Sequence, residues 1–464
     1  MKHMGTVGVS PRRDYLGNFG TNRVWPFVLG GVFVVAVFHG GLWLRLAEFA
    51  RGPDVPDTLQ YDELARNLIT GKGYVVSRGE GYEPTLLREP GYPAFLALVY
   101  GIAGYPGTAA KLIQIFFFGV ISLLAYVLAS ELLASRRAAL AVGGLTAGSF
   151  SLASYGALLM SETLITLVLL TAVITAIRAL RRDGLTFFLI TGGLLGFATL
   201  IKATLLPLVF FLALIVFLGR GRTKSTSLRV GLLILSFSLV VGPWSWRNYQ
   251  QFGTFAVAVR GGMGLYLSTL KLDDSTPDLL RRTIFSLSQE LGRRWYPGQK
   301  DLGLWDYERK DARLEELIGT GMNEWEVDAV LLKEGFARVL KRPVKYVLLA
   351  ALEFVNFAAF GDVPVMVALT LRANSPGEKE AIFVAKLLFR LVGYVVFFMA
   401  LLGLIVIPMR NGPWAFAATV VGYTLIAYAL VLADRRFVVP LVPILNLLVV
   451  FYWMRSCSSG RTMP

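Results

Sequence analysis

Carboxylates and guanidiniums crowd one stretch of an otherwise apolar chain. Residues 56–93 carry Asp57, Asp62, Glu63, Glu80, Glu83 and Glu89, interleaved with Arg66, Lys72, Arg78 and Arg88. An ionised carboxylate within hydrogen-bond reach of a reacting hydroxyl can act as a general base. Arginine suits bidentate contact with phosphate, and lysine a point contact. Glu162, Lys202, Arg247, Arg435 and Arg436 stand by themselves between apolar runs. Each of these groups also has a plainer reading. Loop acids are usually solvated, Asp57 could cap a helix over 58–70, and basic residues at span ends snorkel to headgroups. Glu162 is the costliest to place, because a charge at a tight turn between two spans needs an aqueous cavity or a partner. An ion pair with Lys202 or Arg247 would satisfy it without any chemistry.

These residues need a frame, and composition supplies it. The 464-residue chain is 55% hydrophobic and only 17% charged, against about 25% charged in soluble domains. Its mean hydropathy is +0.59. Apolar runs of about 20 residues recur, each long enough to cross a hydrocarbon core. The expected fold class is therefore an all-α polytopic membrane protein; the alternating segments of a membrane β-barrel are missing. The net charge of +15 sits in short loops between spans. It reads as topology signal and attraction to anionic membrane lipids, with no nucleic acid partner. A single cysteine, Cys457, excludes an internal disulfide, and His3 and His39 form no cluster. His39, inside the first span, reads as a packed polar residue. The N-terminus has no early apolar core or small-residue cleavage site, so no removable signal peptide is expected.

Placing the basic loops on the cytoplasmic side fixes an order of crossings. Residues 1–23 become a cytoplasmic tail, and 24–47 runs outward. The spans 109–133, 138–158, 163–180, 186–201, 203–219 and 228–246 then alternate. The run 92–105 cannot be a crossing and becomes a juxtamembrane helix on the outer face. The outer face thereby gathers 57–88, Glu162, Lys202 and Arg247. Residues 248–345 are too long for a structureless loop and are expected to form a small external helical subdomain, helical over 305–340. The Gly-rich 261–264 lacks the spacing and lysine of a nucleotide loop and is assigned a turn. In the C-terminal module, 346–464, the stretch 346–371 is broken by Gly361, Asp362 and Pro364. It is expected to make a hairpin with no net crossing.

The pattern Asp57-x3-Tyr61-x3-Ala65-Arg66-Asn67-Leu68-x2-Gly71-x-Gly73-Tyr74, followed by Arg88-x-Pro90-Gly91-Tyr92-Pro93, resembles the first external loop of the GT-C glycosyltransferases. It is most similar to the bacterial branch related to protein O-mannosyltransferases and the lipid A aminoarabinose transferase. Three further pieces agree: Met160-Ser161-Glu162-Thr163, Gly242-Pro243-Trp244-x2-Arg247-Asn248-Tyr249-x2-Phe252-Gly253, and Arg436-Phe437-x2-Pro440-x2-Pro443. The resemblance is weakest over 254–410. It implies a GT-C fold of about 10–12 transmembrane helices, with a transmembrane module over 24–247 and a first external loop over 48–108.

What the resemblance implies for function is transfer of a sugar from a polyprenyl-phosphate donor to an acceptor outside the cell (inner) membrane. Glycan, lipid and protein acceptors stay open. Asp57 takes the family's catalytic-aspartate position, with Glu162 as an assisting acid. Arg88, with Lys202 or Arg435 and Arg436, takes the place of the carrier-phosphate contacts. Tyr61, Asp62, Glu63, Tyr92 and Arg247 are reserves for acceptor or sugar. No cofactor is expected to be required; the acids are compatible with a divalent metal, but this branch is not generally metal-dependent. The competing readings are a membrane transporter, whose site would lie near the midplane on broken helices, and a non-catalytic lipid-carrier-binding protein.

Overall fold

A computed structural model of the chain describes residues 24–50, 56–104, 107–182, 184–287, 289–298, 307–358, 364–431 and 434–459. The expected tail over 1–23, and Gly361 and Asp362 at the expected hairpin, lie outside the described residues. Helices account for nearly all of the rest. In chain order they begin with α1 (Val24–Ala50), α2 (Pro56–Ile69), α3 (Gly91–Ala103), α4 (Gly107–Leu132), α5 (Arg136–Ala147) and α6 (Phe150–Gly156). Next come α7 (Glu162–Arg182), α8 (Leu185–Ile201), α9 (Leu208–Arg220), α10 (Lys224–Phe252) and α11 (Gly261–Thr269). Then follow α12 (Thr276–Leu287), α13 (Gln289–Trp295), α14 (Tyr307–Gly319), α15 (Glu324–Lys341) and α16 (Pro343–Phe357). The chain closes with α17 (Pro364–Arg372), α18 (Pro376–Ile405), α19 (Gly412–Val431) and α20 (Val442–Ser459).

Among the described residues, eight helices are long and apolar enough to cross a membrane. The expected span 138–158 is in fact two helices, α5 and α6, bent by 48° at a short break, and counting that pair gives nine. Ser135 and Ser149 cap the two halves with their side chains, so local serine capping competes with a continuous helix across the break. Helix α8 has only 17 residues, but its end is tied to the start of α7. Glu162 opens α7 and Lys202 follows α8, and their side chains are 3.7 Å apart. α8 therefore packs antiparallel to α7 but, like α3, falls short of the length of a candidate span, so eight or nine spans stand against the roughly 10–12 expected. Helix α3, with 13 residues, is too short to cross, as the charge alternation requires. Neither α16 nor α17 is among the candidate spans.

The core is centred on α7. Its apolar residues are buried around most of its circumference, whereas α1 and α10 keep broad apolar faces exposed. An all-round apolar helix belongs inside a bundle, and outward apolar faces suit lipid. Small residues set the closest contacts. A Cβ on Gly192 would lie 2.1 Å from Ser236 Oγ and 2.2 Å from the Leu233 carbonyl oxygen. The glycines of α8 thus let its backbone touch α10, the device of membrane helix pairs.

The polar first loop is built on α2 and an antiparallel hairpin that the sequence does not announce, β1 (Val75–Arg78) with β2 (Gly81–Pro84). Its turn uses Gly79 at φ +56°, where a glycine is unstrained. The expected helical region 305–340 is two helices, α14 and α15, separated at Gly321 (φ +81°). The glycines at 261–264 do not make a turn: they form the first turn of α11. Close approach is the reason at Gly262, where a Cβ would sit 1.9 Å from the Asp328 carbonyl oxygen on α15.

Candidate active site

One end of the bundle, the loop face, carries α2, the hairpin and the start of α7. Asp57 lies in the first turn of α2 and is 8% exposed. Its carboxylate does not cap the helix. One oxygen is paired with Arg88 and the other with Arg436. The two guanidiniums arrive from opposite ends of the sequence, Arg88 from the strap that precedes α3 and Arg436 from the 3-10 helix Arg435–Leu441 that precedes α20. Each is itself held. Arg88 Nε donates to Gln60 Oε1 at 2.6 Å, and its guanidinium lies 5.1 Å from the Tyr61 ring centre. Arg436 Nε lies 3.3 Å from Asp434. Gln60 and Tyr61 are therefore supports of Arg88; Gln60 sits three residues after Asp57 on the same helix face.

The electrostatics follow from this packing. Burial alone would push the Asp57 carboxyl up, but Arg436 and Arg88 outweigh it, and the group is held well below the usual carboxylate range. Arg260 adds a third positive charge acting on the same carboxylate. It is exposed and precedes α11.

A second acid lies beside the first group. Glu162 is 1% exposed, and among the described residues neither of its oxygens finds a hydrogen-bond donor. Its neighbour is Lys202, at 3.7 Å, so the ion pair envisaged from sequence is present but long. Together they line a narrow cleft with Tyr428, Arg436, Phe437 and Leu441. A carboxylate so deeply buried without a hydrogen-bond donor carries a desolvation cost that a donating ligand would offset.

The remaining candidates fall into place around these groups. Asp62 pairs with Arg66 at 2.7 Å and accepts from the Tyr100 hydroxyl at 2.7 Å. Glu63 accepts from the Ser77 amide at 2.6 Å. Both acids are engaged in holding the loop. Tyr92 donates to Gln114 Oε1 at 2.8 Å inside the bundle. Arg247 reaches the carbonyl oxygens of Thr85, at 3.3 Å, and Tyr74, at 3.1 Å. Arg436 makes the contacts to Asp57 and Asp434, and Arg435 precedes it at the start of the same 3-10 helix. Among the described residues no group of three or more His, Cys, Asp or Glu side chains is arranged to hold a metal ion. Gln60, Arg260 and Asp434 were missed; of the three only Gln60 had a signal, its helical spacing from Asp57.

The strap that delivers Arg88 is fixed on several sides. The Tyr74 hydroxyl donates to the carbonyl oxygens of Arg88 and Glu89, at 3.0 and 3.1 Å. Glu89 accepts from the Ala203 amide at 3.1 Å. Gly91 allows the strap to lie on the end of α8, where a Cβ would come within 2.8 Å of the Leu200 carbonyl oxygen. That contact sets Arg88 and Lys202 on neighbouring sides of one site.

Residues 84–246 match the family described as dolichyl-phosphate-mannose-protein mannosyltransferase. The match bears out the resemblance to the GT-C glycosyltransferases over roughly a third of the chain, and it includes Arg88, Glu162 and Lys202. The class of chemistry attached to that family is glycosyl transfer. No curated protein sequence matches the chain. Among the solved structures similar over most of it are the following two. One is the archaeal oligosaccharyltransferase AglB from Archaeoglobus fulgidus, in complex with an inhibitory peptide and a dolichol-phosphate. It is 13% identical with a TM-score of 0.49, covering 96% of this chain and 53% of that one. The other is ArnT from Cupriavidus metallidurans bound to undecaprenyl phosphate. It is 15% identical with a TM-score of 0.39, covering 95% of this chain and 80% of that one. This chain thus spans about half the length of the oligosaccharyltransferase.

Proposed function

We propose that this protein transfers a sugar from a polyprenyl-phosphate-linked donor to an acceptor hydroxyl at the outer face of the cell membrane. The observation that carries the reading is the Arg88–Asp57–Arg436 arrangement, an acid between two guanidiniums, next to Glu162 in a cleft that Lys202, Tyr428 and Arg436 line together with apolar side chains. The step is a single displacement with inversion. The acceptor oxygen bonds to the anomeric carbon as the bond from that carbon to the phosphate oxygen breaks. The proton passes to Asp57, and the leaving phosphate keeps the electron pair. A lipid phosphate is already a good leaving group, so the demand on the protein is charge stabilisation, which Arg88 and Arg436 supply.

The same two guanidiniums make Asp57 a poor base while they face it. A donor phosphate competing for them draws positive charge away from the carboxylate and raises its basicity as the donor arrives. Lys202 and Glu162 lie where they can meet the sugar or the acceptor. The match of 84–246 to a mannosyltransferase family, together with neighbours whose described ligands are polyprenyl phosphates, supports this choice of donor.

A rival reading, a lipid-carrier-binding protein without chemistry, draws on the fact that both Asp57 oxygens are already in ion pairs. Transfer of radiolabelled sugar from polyprenyl phosphate by purified protein separates the two. Asp57→Asn should abolish transfer and leave undecaprenyl phosphate binding intact; full transfer by that variant would remove Asp57 from the mechanism.

A further inference from the structure

Helix α15 lies in the segment where the family resemblance is weakest, yet it touches both strands of chain that carry cations to the site. Its N-terminus is capped by Asn323, whose side chain accepts from the Trp325 and Glu326 amides, with Glu326 closing the box. That cap leaves the Glu324 carboxylate available to neighbours. It is 8% exposed and accepts from the Arg78 guanidinium at 2.8 Å, the Thr85 hydroxyl at 3.1 Å and the Leu86 amide at 2.5 Å. Asp328 follows four residues later on the same helix face. Its carboxylate accepts from the Gly262 and Met263 amides, at 3.0 and 2.9 Å. The two gripped segments are also tied to each other, Val259 N–H to the Leu86 carbonyl oxygen at 3.0 Å. Arg88 lies two residues beyond Leu86, and Arg260 two residues before Gly262. The close approach requires glycine at 262, where any Cβ would meet the α15 backbone.

We propose that Glu324 and Asp328 are positioning residues that set Arg88 and Arg260 for the donor phosphate, so that α15 is a splint for the cationic side of the site. This rests on the reading of Arg88 as a phosphate contact. Neither acid touches the reacting atoms; each acts through backbone amides two or three residues from an arginine. Carboxylate-to-amide bonds are among the stronger hydrogen bonds, and a small displacement of a charged contact is enough to cost much of its effect.

The test uses the full-length protein in detergent, with undecaprenyl phosphate as the probe, hydrogen exchange read over 84–90 and 258–264, and transfer kinetics for the donor. Glu324→Ala should speed exchange at Leu86 and its neighbours. It should weaken undecaprenyl phosphate binding and raise the donor KM about tenfold, while kcat at saturating donor stays within about twofold, as for supporting groups that orient a contact residue. Glu324→Gln, which keeps an acceptor for Thr85 and Leu86 at the same length, should recover most of that loss. If Glu324→Ala misfolds, the deciding variant is Asp328→Asn, which removes one of the two acceptor oxygens that hold the Gly262 and Met263 amides. Asp328→Asn should act likewise through 258–264. Unchanged exchange in both segments would overturn the proposal. So would faster exchange with unaltered affinity in a protein where Arg88→Ala weakens binding. If Arg88→Ala itself leaves undecaprenyl phosphate affinity unchanged, it is the phosphate-clamp reading that fails, and the exchange data still decide whether α15 sets the two loops.

Discussion

At the residue scale, Asp57 is the point on which the account turns. A carboxylate with one oxygen on each of two arginines is stabilised in its charged form, and it gives those arginines up only to a stronger anion. General-base removal typically costs 10²–10⁴-fold in rate. Asp57→Asn should therefore lower kcat by about that factor, without weakening undecaprenyl phosphate binding, because the variant no longer competes for Arg88 and Arg436 with a full charge. Equilibrium binding checks the second half. The same pairing makes a pH prediction. The folded-state pKa of Asp57 is lowered, so its contribution to stability is full above the unfolded value, about 4. It is lost as the pH falls below that value. The Tm advantage of wild type over Asp57→Asn should hold from pH 7 to about pH 5 and shrink on further acidification. A constant difference down to pH 3 would mean that the ion pairs do not stabilise the fold.

The family resemblance put Asp57 ahead of the nearby Asp62 and Glu63, and it could not say how those two acids are held. Asp62 and Glu63 are committed to Arg66, Tyr100 and the Ser77 amide. His39 is likewise a packed polar residue, with Nδ1 at 3.1 Å from the Ala147 carbonyl oxygen and Nε2 accepting from Trp43 at 3.0 Å. Glu324 was illegible because its partners are 238 to 246 residues away, and Arg260 because it acts on an acid as distant in sequence as Asp57; no local pattern records such a pairing.

At the element scale, apolar run length was enough to find the long apolar helices and to set α3 apart as too short to cross. It could not show the bend between α5 and α6, which is set by serine caps, nor the β1–β2 hairpin, whose four-residue strands are mostly exposed. The glycines at 261–264 misled because glycine signals a turn locally, whereas here it signals a helix start pressed against another backbone. The α8–α10 contact gives the element-scale prediction. Gly192→Ala places a methyl against a backbone carbonyl that cannot swing away, so the helices must separate. Overpacking of this kind costs roughly 1–3 kcal/mol, to be read as a lowered Tm in detergent. Gly193→Ala on the same helix, which meets nothing within 4 Å, should be neutral or slightly stabilising.

At the scale of the whole molecule, the fold brings residues 57, 88, 162, 202 and 436 to a single face of the bundle. Helix α20 starts beside that site and carries exposed Cys457 to the far end of its span. If the loop face is outside, a membrane-impermeant maleimide applied to intact cells should label Thr320→Cys, next to α15 and α14, and leave native Cys457 unlabelled. The reverse pattern would invert the orientation.

The most direct test of the central claim is transfer of labelled sugar from polyprenyl phosphate by the purified full-length protein, compared across wild type, Asp57→Asn and Arg88→Ala. If Asp57 is the base, wild type gives product, Asp57→Asn loses turnover with carrier binding intact, and Arg88→Ala shows a raised donor KM. Wild-type turnover that Asp57→Asn retains in full would contradict that assignment.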